Sequence, residues 1–197
     1  MSNKLAQTAQ PVTDVIAQRW SGRAYDAEKI VSPEQITALT EAARWAPSCF
    51  GDEPWRYLIC DKATDPEAWQ KAFDSLVPGN QVWAKDAQIL ILSASAPNFT
   101  HNDKPNRWSG YDAGAAAVSL CLQATALGLM SHQMGGFDAD KMRESFAIPE
   151  DIQQWAMIAV GYPAALDSLP EELQERENAP RERRPLQQQF FHGKWSI

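Results

Sequence analysis

Arg19-Trp20-Ser21-Gly22-Arg23 places two guanidinium groups, a hydroxyl and a glycine within five residues. Guanidinium forks engage phosphate oxygens in pairs, a hydroxyl adds a hydrogen bond, and glycine lets backbone approach a ligand closely. The same stretch also reads as a helix C-terminus, where cations complement the dipole. On these five residues alone the helix-end reading is the stronger. A second cationic group, Arg181, Arg183 and Arg184 ahead of Pro185, lies at the far end of the chain. Between them, His132-Gln133-Met134-Gly135-Gly136-Phe137 has two glycines able to present backbone N–H groups. Cys49, in a loop after Pro47-Ser48, reads as an inert thiol rather than a nucleophile, because no sequence neighbour would lower its pKa.

Other constellations are missing. The chain has no phosphate-binding P-loop, no G-x-G-x-x-G after a strand, no C-x-x-C and no H-E-x-x-H. His101, His132 and His192 are isolated from one another, so no metal site is expected. Anion-binding and backbone-presenting segments without a protein nucleophile suit a cofactor that carries the chemistry itself.

The elements that must position these residues follow from periodicity and capping. Val12, Val15, Ile16 and Trp20 fit one helical face over 12–18. Ser32-Pro33-Glu34-Gln35 opens a helix with a capping box, and Pro47 closes it. Residues 55–60 alternate as a strand, and Asp65-Pro66-Glu67 starts a helix that Pro78-Gly79-Asn80 is expected to break. The apolar run in 87–94 predicts a strand buried on both faces. Residues 97–108 read as a polar loop. A capping box over 109–112 is expected to open one long, alanine-rich helix over 113–130, buried in the core or at a subunit interface. Asp138 caps a short helix to Phe146, and 155–161 form another strand. The tail from 164 is charged and proline-punctuated, too poor in apolar residues for a core of its own.

At 197 residues and a net charge of -7, one sizeable core is expected and a general nucleic-acid binder is not. Cys49, Cys60 and Cys121 are odd in number and widely spaced, which predicts no disulfide framework and a cytoplasmic location. The first ten residues lack an apolar leader segment, so no secretory signal or membrane association is expected.

The ordered set of segments resembles the nitroreductase family of FMN-dependent NAD(P)H oxidoreductases. The resemblance rests on Arg19 to Arg23, Ala46-Pro47-Ser48 with Pro54-Trp55-Arg56, and Asn80-Gln81-Val82-Trp83 with Asp86-Ala87. It continues through His132 to Phe137, Gly161-Tyr162-Pro163 and Arg181 to Leu186. The resemblance implies an α+β fold: a central, mainly antiparallel sheet flanked by helices, in an intertwined homodimer. One domain would span 1–197, with 164–197 as an extension wrapping the partner subunit. Arg19 and Ser21 would hold the FMN phosphate beside Trp20, with Arg181 and Arg183 closing on it. Arg23 would sit near flavin N1 as electrostatic support, with Asn80 and Trp83 against the pyrimidine ring. Gln133, Met134, Gly135 and Gly136 would run along the isoalloxazine, and Pro47, Ser48, Cys49 and Gly51 would come from the other subunit. Trp83, Phe99, Trp108 and Phe137 would offer stacking surfaces. The implied reaction passes two electrons from NADH or NADPH, through FMN, to a nitroaromatic, quinone or similar small acceptor in a ping-pong cycle. A non-catalytic flavin-storage or sensing protein of the same fold is the alternative. It rests on two departures: many family members read P-S-x-x-N-x-Q-P-W, whereas Gly51 and Glu53 stand at the Asn and Gln positions here.

Overall fold

The computed structural model describes residues 4–195. It is an α+β fold built on four strands: β1 (Trp55–Asp61), β2 (Ile89–Ser95), β3 (Met130–Met134) and β4 (Gln153–Gly161). They form one sheet in the order β1-β2-β4-β3, with every neighbouring pair antiparallel. Around it lie α1 (Asp14–Gln18), α2 (Pro33–Arg44), α3 (Pro66–Asp74), α4 (Pro78–Ala84), α5 (Ser109–Ala126), α6 (Ala139–Phe146) and α7 (Glu171–Asn178).

Strand β2 is buried along its whole length. Its alternation divides the interior in two. Leu90, Leu92 and Ala94 pack with Trp69 of α3, Trp83 of α4 and Met142 of α6. Ile89 and Ile91 pack on the other side with Leu39 of α2 and Leu120 of α5. Each buried Leu or Ile of the strand contributes about 1.5–3 kcal/mol of burial, so the strand is held from both faces. Helix α5 presents Ala113, Ala116, Ala117, Leu120, Cys121 and Ala124 to the second core. That three-and-four spacing is one helical stripe, and its small residues bring the helix close to the sheet.

The expected capping box of α2 forms: Ser32 Oγ accepts from Gln35 N, and Gln35 Oε1 accepts from Ser32 N. Elsewhere the structure differs from the sequence reading. Pro78-Gly79-Asn80 does not end helical structure but opens α4, with Pro78 in the first turn, where its missing N–H costs nothing. Asp112 does not cap α5; its carboxylate turns to the backbone N–H of Cys49, 3.0 Å away. Helix α5 also starts at Ser109 and stops at Ala126, short of the expected position 130. Gly128, at φ 72°, closes it. Leu129 N donates to Ala124 O and Gly128 N to Thr125 O, the paired bonds of a glycine-terminated helix. The chain then enters β3, a short edge strand; the sequence reading places its first residue, Met130, in the helix and His132–Met134 in the glycine segment.

The segment after 164 divides. Leu169 and Leu173 join the first core, so α7 docks on its own chain. Beyond it the tail is largely exposed, including Leu186, Phe190 and Trp195. Positions 1–3 and 196–197, the ends of the expected domain, lie outside the described residues.

Candidate cofactor site

Both chain ends build one cationic corner. Helix α1 ends at Gln18, leaving its last carbonyls without intrahelical donors. The Arg181 guanidinium supplies them, donating to Ala17 O and Arg19 O at 3.0 Å each, and also to Lys4 O. Arg19 Nη1 lies 3.4 Å from Ser21 Oγ. Arg183 is exposed and donates to Glu182 O. Burial, followed by repulsion from Arg19 and Arg183, holds Arg181 below the ordinary guanidinium value. None of these three arginines makes an ion pair with a carboxylate among the described residues. Three adjacent cations without a carboxylate partner, in a chain of net charge -7, are the arrangement that could hold an anion.

Gly22 is fixed by crowding. A Cβ there would lie 2.1 Å from Met130 Sδ and 2.9 Å from the Trp20 ring. Its carbonyl oxygen is 3.1 Å from His132 Nδ1. A carbonyl only accepts, so Nδ1 carries the hydrogen and Nε2 keeps a lone pair. Burial, reinforced by the charges of Arg23 and Arg19, outweighs the hydrogen bond to Gly22 and pushes His132 down to about 4. The imidazole is therefore neutral at pH 7. Its ring lies 4.5 Å from that of Trp83, which stacks on Tyr25 at 6.1 Å. Trp83 is 2 % exposed, so it belongs to the core and backs His132, not to an open stacking face as expected from sequence.

Arg23 faces Glu177 of α7. Glu177 Oε1 accepts from Arg23 Nη1 at 2.8 Å and Oε2 accepts from Arg23 N at 3.2 Å. No sequence motif marks Glu177. The four-residue spacing of Leu169, Leu173 and Glu177, which puts a carboxylate on the docking face of α7, is the signal that could have found it.

Strand β3 delivers the glycine segment. Asn80 Nδ2 and Val77 N both donate to Gly136 O, at 3.0 and 3.1 Å. A Cβ on Gly136 would come within 2.8 Å of Val77 Cγ2. The N–H groups of Gly135 and Gly136 make no backbone hydrogen bond among the described residues. Met134 is buried, while Gln133 is exposed and reaches Cys121 Sγ at 3.5 Å.

The Pro47–Gly51 segment stands apart. No hydrogen bond or ion pair among the described residues joins it to the arginine corner. Asp112 holds Cys49, and Ser48 Oγ accepts from Glu53 N at 3.0 Å. Phe50, Gly51 and Glu53 all have positive φ, between 50° and 66°. Gly tolerates that conformation better than other residues, which accounts for glycine at position 51. Asp52 is buried and accepts from Thr100 N and Oγ1 at 2.8 and 2.7 Å, tying this loop to 97–108. The rings of Phe50, Phe99 and His101 cluster above it. The roles of Asp52 and Asp112 were not visible in the sequence, because each acts across 48 or more residues.

Residues 16–162 match the family model described as Nitroreductase family. Protein DrgA of Synechocystis sp. is 30% identical over 177 residues, spanning 75% of this chain and 82% of its own. The Major NAD(P)H-flavin oxidoreductase of Aliivibrio fischeri is 26% identical over 93 residues, 47% of this chain and 43% of its own. A crystal structure of an oxidoreductase containing FMN superposes with a TM-score of 0.91 at 35% identity, covering 100% of this chain and 98% of that one.

Proposed function

The chain is an oxidoreductase of the nitroreductase family, and on that premise we propose that it binds FMN and passes two electrons from NADH or NADPH to a nitroaromatic, quinone or similar acceptor by a ping-pong mechanism. The observation that carries this reading is the uncompensated corner of Arg19, Arg181 and Arg183 beside Ser21. It fits a phosphate monoester, and the free N–H groups of Gly135 and Gly136 fit the polar edge of a flavin ring. Bound FMN would supply the redox chemistry, taking electrons from the nicotinamide and releasing them to the acceptor in separate half-reactions.

The chain's own residues would bind and orient. Arg19, Ser21 and Arg183 would hold the phosphate, with Trp20 beside them. Arg181 would share that charge while its hydrogen bonds to Ala17 O and Arg19 O fix the turn. Arg23 would serve the pyrimidine edge. Asn80 would act there with its side chain already held by Gly136 O. Trp83 would support the site from behind, through His132.

A homodimer with FMN at its interface is part of the proposal. Tyr111 and Val118 on the outer face of α5 are 77% and 50% exposed, and Phe50 is 82% exposed. Apolar surface of this kind asks for a cover. Pro47, Ser48, Cys49 and Gly51 would then reach the partner's flavin, and the outer tail, with Phe190 and Trp195, would lie across the partner. The three unpaired thiols agree with a cytoplasmic enzyme. No helix among the described residues is long and apolar enough to cross a membrane.

The test is a flavin titration followed by anaerobic reduction. The protein should take up FMN, prefer it to riboflavin by at least about tenfold through charge-assisted bonds to the phosphate, and bleach with NADH or NADPH. Absence of FMN uptake sinks the proposal; equal affinity for riboflavin sinks the phosphate assignment; a bound flavin that no nicotinamide bleaches favours the storage reading. A monomer in sedimentation at micromolar concentration would contradict the shared site.

A further inference from the structure

We infer that Glu177 balances the charge of Arg23 and thereby sets the reduction potential of the cofactor; this rests on the FMN reading above. Glu177 is 0% exposed, whereas Glu171, Glu172 and Glu175 of the same helix lie in solvent. A carboxylate is buried at that cost only when it is paired and hydrogen-bonded. Both of its oxygens are committed to Arg23, one to the backbone N–H and one to Nη1. This two-point grip fixes where residue 23 leaves the cationic turn and how its guanidinium is turned. Nε and Nη2 make no hydrogen bond among the described residues, and the side chain keeps 27% of its surface exposed. One edge of the fork is occupied and the other is open.

The electrical consequence follows from the charge count. Two-electron reduction of a flavin leaves negative charge on its pyrimidine ring. A lone guanidinium there would stabilise the reduced form over the oxidised form. Paired with a buried carboxylate, the same guanidinium belongs to a neutral couple and favours reduction less. The pair is also a weak device for stability, since the desolvation of two ions offsets most of their attraction. Its position at the cationic turn gives it another use. Glu177 keeps the flavin more reducing than Arg23 alone would make it, which suits donation to acceptors that are hard to reduce. Glu177 is thus a positioning and charge-balancing residue that acts through Arg23.

Four proteins test this: the parent, Glu177→Gln, Arg23→Gln and the double variant Arg23→Gln/Glu177→Gln. Flavin uptake is measured first, then the midpoint potential of bound FMN by dye-coupled titration in excess FMN. Glu177→Gln leaves an uncompensated cation and should shift the reduction equilibrium at least about tenfold toward reduced flavin, about 30 mV for a two-electron couple. Arg23→Gln leaves an uncompensated carboxylate and should shift it the other way. The double variant, neutral like the parent, should return close to the parent value. Should Glu177→Gln not fold, the comparison of Arg23→Gln with the double variant decides, and the double variant must lie higher. Four equal potentials overturn the inference, as does a double variant no higher than Arg23→Gln. A parent that takes up no FMN overturns the cofactor reading and this inference with it; uptake without the potential series overturns this inference alone.

Discussion

Replacing His132 by Gln should flatten the acid limb of the protein's stability profile. In the folded chain the imidazole is pushed down to about 4 from an ordinary 6.5, chiefly by burial. The unfolded chain therefore binds the proton more readily between those values. The histidine's contribution is intact above about pH 6.5 and is lost as pH falls toward 4. At about 1.36 kcal/mol per pKa unit, the gap caps the effect at about 3 kcal/mol. The same linkage gives about 1.4 kcal/mol lost at pH 5.5, about 2.6 at pH 4.5, and almost nothing at pH 7.5. Gln keeps an N–H donor for Gly22 O, so the fold is retained. The assay is urea unfolding of parent and variant at matched protein and FMN concentrations, from pH 7.5 down to 4.5. The parent's carboxylates titrate in both proteins and cancel in the difference. That difference should move in favour of the variant by about 1.4 kcal/mol on reaching pH 5.5. A difference independent of pH would refute the assignment, as would an NMR titration placing the His132 ring near 6.5.

Gly22→Ala should cost about 1–3 kcal/mol of stability in thermal or urea unfolding, because its Cβ would meet the Trp20 ring at 2.9 Å as well as the more yielding Met130 side chain. Arg19→Ala should weaken FMN binding about tenfold or more and barely move the flavin potential, whereas Arg23→Ala should lower the potential too; equal effects on both quantities would remove that division of labour. Asp112→Ala releases the Cys49 N–H, which should raise amide exchange across 48–52 and weaken FMN affinity in the dimer while leaving the far-ultraviolet circular dichroism unchanged.

Three of the four strands were legible because they carry their pattern locally. Residues 89–92 read as a two-face strand from four consecutive apolar residues, and the structure buries all of them. The Ser32 and Asp138 caps were legible for the same reason, since donor and acceptor lie three residues apart. Strand β3 was not, because His132 and Gln133 break its apolar pattern and its identity comes from pairing with β4. At the cationic corner, residue types showed which groups could meet an anion, but not which were already engaged. Arg181 spends much of its fork on carbonyls more than 160 residues away in sequence, and Arg23 meets a carboxylate 154 residues away. Trp83 shows the reverse error: an aromatic inside a recognisable segment was read as a ligand surface, while burial assigns it to the core.

Arg19 and Arg181 touch, although nearly the whole chain separates them. During synthesis Arg19 emerges well before Arg181. A ribosome-bound chain can thus complete its sheet, with β4 ending at Gly161, while the arginine corner still lacks Arg181, Arg183 and the helix that carries Glu177. On the proposed reading, a full grip on the cofactor would come only after this segment has joined the corner. A chain cut after 161 would keep all four strands of the sheet but lose Arg181, Arg183 and the Glu177 partner of Arg23.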